Sequence, residues 1–107
     1  MHMARYQFRF SIPDSQQGNH TVYNAYVTTL KRLGELKGSK QGTVRVEEVQ
    51  ATSGSVAGAI MIEAPSCEEA MRFVCRETPI IDLEWHVEEF VEPTRMAEIL
   101  DTALKRR

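Results

Sequence analysis

The sequence predicts a mixed α+β domain with a four-stranded antiparallel sheet. Residues 4–12, "ARYQFRFSI", alternate apolar and polar side chains, which is the period of a strand with one buried face. Helical periodicity appears twice, each time between stretches of strand character. Ser66 is suited to cap the second helical segment, and the pair Thr78-Pro79 ends it, because a residue before proline avoids helical geometry.

The first half of the chain supplies one helix and two further strands. The helix is predicted from about His20 to Lys37, with Asn19 or Thr21 as its cap and Gly38 after its end. The second and third strands are "TVRVEEVQA" and "VAGAIMIEA", and the turn "TSGS", with Gly54, joins them. The polar stretch "GSKQG" before the second strand is predicted to be a loop.

The second half continues with a capped helix, a strand and a terminal helix. Ser66 and Glu69 form a predicted capping box, in which each side chain accepts from the other residue's N–H. "LEWHVEEFV" is the fourth strand, and Pro93 opens a last helix. Five apolar residues make a stripe on it: Met96, Ile99, Leu100, Ala103 and Leu104. The order β-α-β-β-α-β is that of the ferredoxin-like fold, with two helices on one face of the sheet.

Length and composition limit the classes of protein. The 107 residues fit one domain, predicted over residues 4–107, while residues 1–3 are expected to be disordered or a cloning remnant before a natural start at Met3. The net charge of −2 argues against a nucleic-acid binder, which usually carries a basic excess. No apolar run approaches the ~20 residues of a membrane span. We therefore expect a cytoplasmic protein without nucleic-acid or membrane partners.

The two cysteines, Cys67 and Cys75, lie eight residues apart on the predicted second helix. The sequence has no Cys-x-x-Cys pair and no histidine at metal-finger spacing from either cysteine. Reduced core thiols are therefore favoured over a redox pair or a metal site. No metal and no cofactor are expected.

The face of the sheet turned away from the helices is the first candidate site. Alternation assigns the following residues to it: Arg5, Gln7, Arg9, Arg45, Glu47, Val49, Met61, Glu63, His86, Glu88 and Phe90. As a ligand site, it would use Arg9 and Arg45 to hold an anion and His86 as an acid or base tuned by Glu63 or Glu88. As a solvated surface, it would be a cross-strand charge ladder. It could also meet a second copy of the chain.

His20, at the start of the first helix, is the second candidate. It could act as a base near the end of the first strand, or it could be an ordinary exposed residue beside the cap. Tyr23 and Tyr26 are better explained as core or interface aromatics. Gly58 is expected to let a helix approach the sheet closely.

Residues 53–93 resemble the closing half of YciI-like proteins, a family of the dimeric α/β barrel superfamily. The similar elements are the small-residue strand "GSVAGAIMIEA", the turn "APSCEEA", a short helix ending in an X-Pro pair and a last strand ending "EEFVEP". The resemblance implies a dimer whose two sheets face each other around a cleft. It also implies a histidine near the first helix, matched by His20, and an aspartate before a proline, where this chain has Thr78.

The expected function is therefore small-molecule binding by a cytoplasmic homodimer that pairs through the sheet face. Cofactor-free catalysis on a small organic compound is a further expectation, with His20 and His86 as catalytic residues and Arg9, Arg45 and Glu63 as ligand-binding residues. The alternative is a non-catalytic interaction module that docks through the sheet face or the C-terminal helix.

Overall fold

The computed structural model describes residues 3–52, 57–78 and 83–105. Its helices are α1 (His20–Leu36), α2 (Cys67–Glu77) and α3 (Pro93–Lys105), with a short 3₁₀ helix at Asp14–Gln16. Its strands are β1 (Ala4–Ser11), β2 (Lys40–Gln41), β3 (Val44–Ala51), β4 (Ala57–Ala64) and β5 (Glu84–Phe90). The fold is mixed α+β, as predicted, but the sheet has five strands and not four. The predicted turn at Gly54 and the proline stop at Pro79 lie outside the described residues.

The five strands form one antiparallel sheet in the order β2-β3-β4-β1-β5. The additional strand, β2, lies at one edge, where the sequence predicted a polar loop. A two-residue turn at Gly42 and Thr43 joins β2 to β3, and Gly42 has a φ of +60°, which favours glycine. β2 was missed because two residues are too few to show an alternating pattern.

One face of the sheet carries the hydrophobic core. Phe8, Phe10, Ile60, Ile62 and other alternate residues of β1, β3 and β4 are buried there under α1 and α2. The structure thereby confirms which residues of β1 and β4 face the helices. In β3 the prediction holds only as far as a bulge. At that bulge Glu47 is the extra residue, since Val46 pairs with Ile62 but Glu48 pairs with Met61.

The bulge corrects the prediction for Val49. Alternation alone places Val49 with Glu47 on the face away from the helices. The extra residue shifts the phase by one, so Val49 pairs with Ile60 and packs against the core. Glu48 and Gln50 take its place on the other face, where they oppose Met61 and Ala59.

The predicted helix caps are mostly confirmed. The Asn19 side chain accepts hydrogen bonds from the backbone N–H groups of Thr21 and Val22, at 2.9 and 3.3 Å. Ser66 accepts from the N–H of Glu69 at 3.2 Å. The second half of the capping box differs, because the Glu69 carboxylate accepts from the Thr43 hydroxyl at 2.6 Å and so ties α2 to the β2–β3 turn.

Gly58 has a different neighbour from the one predicted. A Cβ at this position would lie 2.6 Å from the Phe10 ring, so the glycine admits the aromatic side chain of the adjacent strand and not a helix. The ring also packs on Tyr26 and Trp85, at centroid distances of 5.9 and 5.0 Å. Tyr26 is buried, as predicted, and donates to the Ala57 carbonyl at 2.8 Å, while burial raises the pKa of its hydroxyl. Tyr23 is exposed.

α3 stands apart from the core. None of its residues is buried, and Met96, Ile99, Leu100 and Leu104 are 40–64% exposed. The Cα radius of gyration is 15.9 Å, compared with about 13 Å for a compact domain of this length. The predicted apolar stripe of α3 is therefore present, but in the single chain it faces solvent.

Candidate functional site

The face of the sheet opposite the helices, called here the open face, carries most of the predicted site residues. The strand register aligns them in rows across the sheet, each row reading from β3 to β5. One row is Gln50, Ala59, Arg9 and His86; the next is Glu48, Met61, Gln7 and Glu88; the third is Arg45, Glu63, Arg5 and Phe90. The open face is thus polar and charged along its length, with Met61 and Ala59 near its centre.

The first group of charges lies around His86, and we call it the His86 cluster: Arg9, Glu84, His86 and Glu88. Arg9 and His86 are direct cross-strand partners. The guanidinium of Arg9 donates to the Glu88 carboxylate at 2.8 Å, and His86 Nε2 lies 3.4 Å from Glu84 Oε1. The imidazole and the Glu84 carboxylate thus lie side by side on the open face, where an acid and a base could both contact a ligand. The acid beside His86 is therefore Glu84, and not Glu63 or Glu88 as the sequence predicted, because Glu63 lies opposite Arg5 and Arg45 while Glu88 pairs with Arg9.

The second group lies around Arg45, and we call it the Arg45 cluster: Arg5, Lys40, Arg45 and Glu63. Glu63 is the direct cross-strand partner of both Arg45 and Arg5, and Lys40 is the partner of Arg45 on its other side. Arg5 donates through Nε and Nη2 to the Glu47 carboxylate, at 3.0 and 2.7 Å. The cluster can present positive charge next to one carboxylate.

The two clusters are separate places on the open face. Arg5 and Arg9 are four residues apart on β1, which is about 13 Å along an extended strand. The structure therefore brings Arg9 and His86 together, and Arg45 and Glu63 together, but it does not join all of the predicted residues at one point. His20 is exposed in the first turn of α1 and belongs to the helix layer. A ligand in contact with both clusters would have to extend along the strands.

Two of the depressions in the described part of the chain are lined mainly by residues of the open face and of the β2–β3 hairpin. One, of about 350 Å³, is formed by Arg5, Gln7, Glu48, Ala59 and Met61 among others. The other, of about 280 Å³, lies over the Arg45 cluster and is lined by Lys40, Thr43, Arg45 and Glu63. Glu48 at the rim of the first depression accepts from Lys37 at 2.7 Å, and this hydrogen bond lowers the pKa of its carboxyl. Both depressions are open to solvent in the single chain.

The residue before Pro79 has a structural role. The Thr78 side chain is buried, and its hydroxyl donates to the Val74 carbonyl at 2.7 Å, one turn earlier in α2. The hydroxyl therefore satisfies a carbonyl group at the end of the helix. Asp82 lies outside the described residues, and Glu77 accepts from Arg32 of α1 at 2.8 Å. Neither Thr78 nor Glu77 is free to replace the aspartate that the resemblance implies.

The described residues offer neither a metal cluster nor a membrane-spanning helix. In the described part of the chain, no three His, Cys, Asp or Glu side chains come together as they would around a metal ion. Within residues 3–52, 57–78 and 83–105, no helix has both the length and the apolar character that a membrane span requires. Both cysteines are free thiols; Cys67 is half-buried as predicted, but Cys75 is exposed and not part of the core.

Sequence reasoning missed four residues of the open face: Lys40, Glu48, Gln50 and Glu84. Lys40 belongs to the short strand β2, and a usable signal was present, because Gly42 lies between two strand-compatible pairs of residues as in a tight hairpin. Glu48 and Gln50 reach the open face because of the bulge at Glu47, for which the sequence offers no comparable signal.

Comparison with known proteins finds no matching family model, no matching curated protein and no matching solved structure. The class and the function of this protein are therefore inferred from its own residues and geometry.

Proposed function

We propose that this chain is the subunit of a cytoplasmic homodimer of the dimeric α/β barrel type, and that its paired open faces bind a small organic molecule between them. The observation that carries the proposal is the open face itself. It is a broad sheet surface without a covering layer in the single chain, and it holds two charged clusters and two depressions. In a face-to-face pair, the second copy would wall the depressions, and ligand pockets are usually concave sites with a few placed polar groups.

The topology supports this class. Without β2, the sheet order is β3-β4-β1-β5, and α1 and α2 follow β1 and β4 and lie on one face. This is the arrangement expected of a ferredoxin-like domain. The YciI-like family remains the resemblance that we propose for residues 53–93, with the difference that Thr78 is a helix-end residue here.

The area of the open face is suited to a stable dimer. Four strands of about eight residues cover roughly 500 Å², and one stripe of a thirteen-residue helix covers on the order of 200 Å². A standard protein interface buries about 800 Å² per partner. The open face and the α3 stripe together are close to that value, whereas either surface alone falls short. We therefore assign both surfaces to contact with a second copy.

Within the cleft, we assign proton transfer to His86 and ligand contacts to Arg9, Arg45 and Glu63. His86 is exposed on the open face with Glu84 at 3.4 Å, so it is accessible to a ligand and has a carboxylate beside it. His20 ranks below His86 for an acid–base role. The reason is its position, since it lies in the helix layer and not on the open face.

A second candidate function is an interaction module, and α3 is the observation that favours it. An amphipathic helix with its apolar stripe in solvent is a typical element for docking onto another protein. In that case α3 would contact a different protein, and the open face would remain a solvated charge ladder, as the exposed pairs Arg9–Glu88 and Arg5–Glu47 allow.

Oligomeric state tests the main proposal. Met61 lies at the centre of the open face, and we expect Met61→Lys to convert the dimer to a monomer, because each copy would bring a new charge to the centre of the interface. Met71, which is 47% exposed on α2, provides the matched control. Met71→Lys makes the same chemical change on the helix side and should leave the dimer intact. Sedimentation velocity over a range of protein concentrations measures both.

Two results would contradict the proposal. One is a wild-type protein that sediments as a monomer throughout the range. The other is a Met61→Lys variant as dimeric as Met71→Lys, since dimerisation would then use another surface.

A further inference from the structure

Two cations at the edge of the open face, Lys40 and Arg45, lie directly opposite each other on neighbouring strands. Lys40 and Arg45 are cross-strand partners between β2 and β3, and both side chains are exposed. Among the residues that the structure describes, neither makes an ion pair, whereas Arg5 and Arg9 on the same face each have a glutamate within 2.8 Å. Like charges directly opposite in a sheet are destabilising. The Lys40–Arg45 pairing itself therefore does not stabilise the fold, although Arg45 also lies opposite Glu63 on its other side.

The strand register places the Lys40 and Arg45 side chains on the open face. Val44 is buried against the core, so the next residue, Arg45, must project from the open face. The two-residue turn at Gly42 and Thr43 then places Lys40 opposite Arg45. The two positive charges are held together by the hairpin itself.

The hairpin is also anchored on both sides of Lys40. Before it, Gly38 N–H donates to the Val46 carbonyl at 2.9 Å, and Val46 N–H donates to the Ser39 carbonyl at 3.0 Å. After it, the Thr43 hydroxyl donates to Glu69 of α2 at 2.6 Å. A binding group on an anchored backbone loses less conformational freedom when it takes a ligand. The backbone positions of Lys40 and Arg45 are thus fixed before a ligand binds. Among the described residues, the Lys40 ammonium and the Arg45 guanidinium make no ion pair.

We propose that Lys40 and Arg45 bind the oxyanion of a small organic acid, either a carboxylate or a phosphate, in the depression of about 280 Å³ that they line. The planar guanidinium of Arg45 matches two oxygens of such a group, and Lys40 adds a second charge from the opposite strand. Glu63, on the other side of Arg45, lines the same depression and accepts a hydroxyl or amino hydrogen from the ligand. This inference rests on the proposed function, because it names the class of molecule that the open face would take.

NMR titrations with acetate, glycolate and inorganic phosphate test the site at constant ionic strength. We expect saturable shifts at Lys40 and Arg45, and tighter binding of glycolate than of acetate, because only glycolate has a hydroxyl for Glu63. Lys40→Gln and Arg45→Gln should each weaken binding at least about ten-fold, as loss of a charge-assisted hydrogen bond does. Lys31→Gln, at an exposed position on α1, removes the same charge elsewhere and should have no effect. If phosphate binds more tightly than glycolate, the ligand class is a phosphate ester; the reverse order indicates a carboxylate.

Thermal unfolding adds a readout that a simple loss of charge would not give. Without added anion, Lys40→Gln should raise the Tm by about 1–5 °C, because it relieves the like-charge pair. The same variant should lose the rise in Tm that phosphate or glycolate produces in the wild type. A variant that gains stability while it loses anion binding is the signature of a ligand site.

The experiments distinguish the absence of an anion site from the absence of a dimeric cleft. The inference is overturned if the wild type shows no saturable shift with any of the three probes, or if Lys31→Gln weakens binding as much as Arg45→Gln. A dimer with that result would leave the proposed function standing without this ligand class. Saturable binding to a monomer would support the anion site and overturn the dimeric cleft.

Discussion

Replacing Phe10 with alanine should lower the free energy of unfolding by about 3–5 kcal/mol, the range for a buried aromatic side chain. Phe10 is 1% exposed and lies over Gly58, between Tyr26 and Trp85. Gly58→Ala should also destabilise, by about 1–3 kcal/mol, because the new methyl group would lie 2.6 and 2.9 Å from two atoms of the Phe10 ring. Urea unfolding at one fixed protein concentration measures both changes.

The double variant separates this contact from general damage to the core. With Phe10 shortened to alanine, the ring that Gly58→Ala would strike is gone, and the Gln50 carbonyl oxygen, 3.1 Å from the new methyl carbon, remains close. The second substitution should therefore have a much smaller effect than it has in the wild type. Phe8→Ala is the control background, because Phe8 is buried on the same strand but pairs with Ile60. Gly58→Ala should keep its full effect there. If Phe10→Ala does not fold, Phe10→Leu provides a milder background. Additive effects of Phe10→Ala and Gly58→Ala would contradict the proposed contact.

Replacing Leu100 with aspartate should weaken the proposed homodimer by roughly 10²- to 10⁴-fold. Leu100 is 55% exposed in the single chain, so the substitution should leave the protomer folded. Burying a leucine contributes about 1.5–3 kcal/mol, and in a two-fold symmetric dimer both copies lose it. Sedimentation equilibrium gives the dissociation constant, and circular dichroism confirms that the helices remain.

Thr102→Asp is the matched control for Leu100→Asp. Thr102 is exposed on the same helix and outside the apolar stripe, so the same charge there should have a small effect on association. If Leu100→Asp and the wild type dimerise equally well, a second copy does not cover α3. Together with a monomeric Met61→Lys variant, that result would keep the open-face dimer and assign α3 to another partner, as in the interaction-module alternative.

β3 shows where alternation stops predicting which face a residue lies on. Arg45 and Val46 lie on the faces that alternation predicts, but Val49 does not. One extra residue at Glu47 changes the phase of everything after it. Neither Glu47 nor its neighbours differ from ordinary strand residues, so the bulge was not predictable from local pattern.

In the candidate site, too, alternation predicted the face of each residue but not its neighbours on other strands. Alternation placed Arg9, Arg45, Glu63 and His86 on the open face, which the structure confirms as their location. It did not show that they form two clusters, or that Glu84 and Glu88 have different partners. Those facts depend on which residues of distant strands lie opposite each other.

The amino-acid sequence by itself determined the order of the long elements, the caps at Asn19 and Ser66 and the buried faces of β1 and β4. These features depend on residues within a few positions of each other, where periodicity and capping chemistry act. Tertiary structure alone decided that Phe10 covers Gly58, that Lys40 opposes Arg45 and that α3 leaves the core. Each of these depends on strand register or on the packing of remote segments, which no local pattern records.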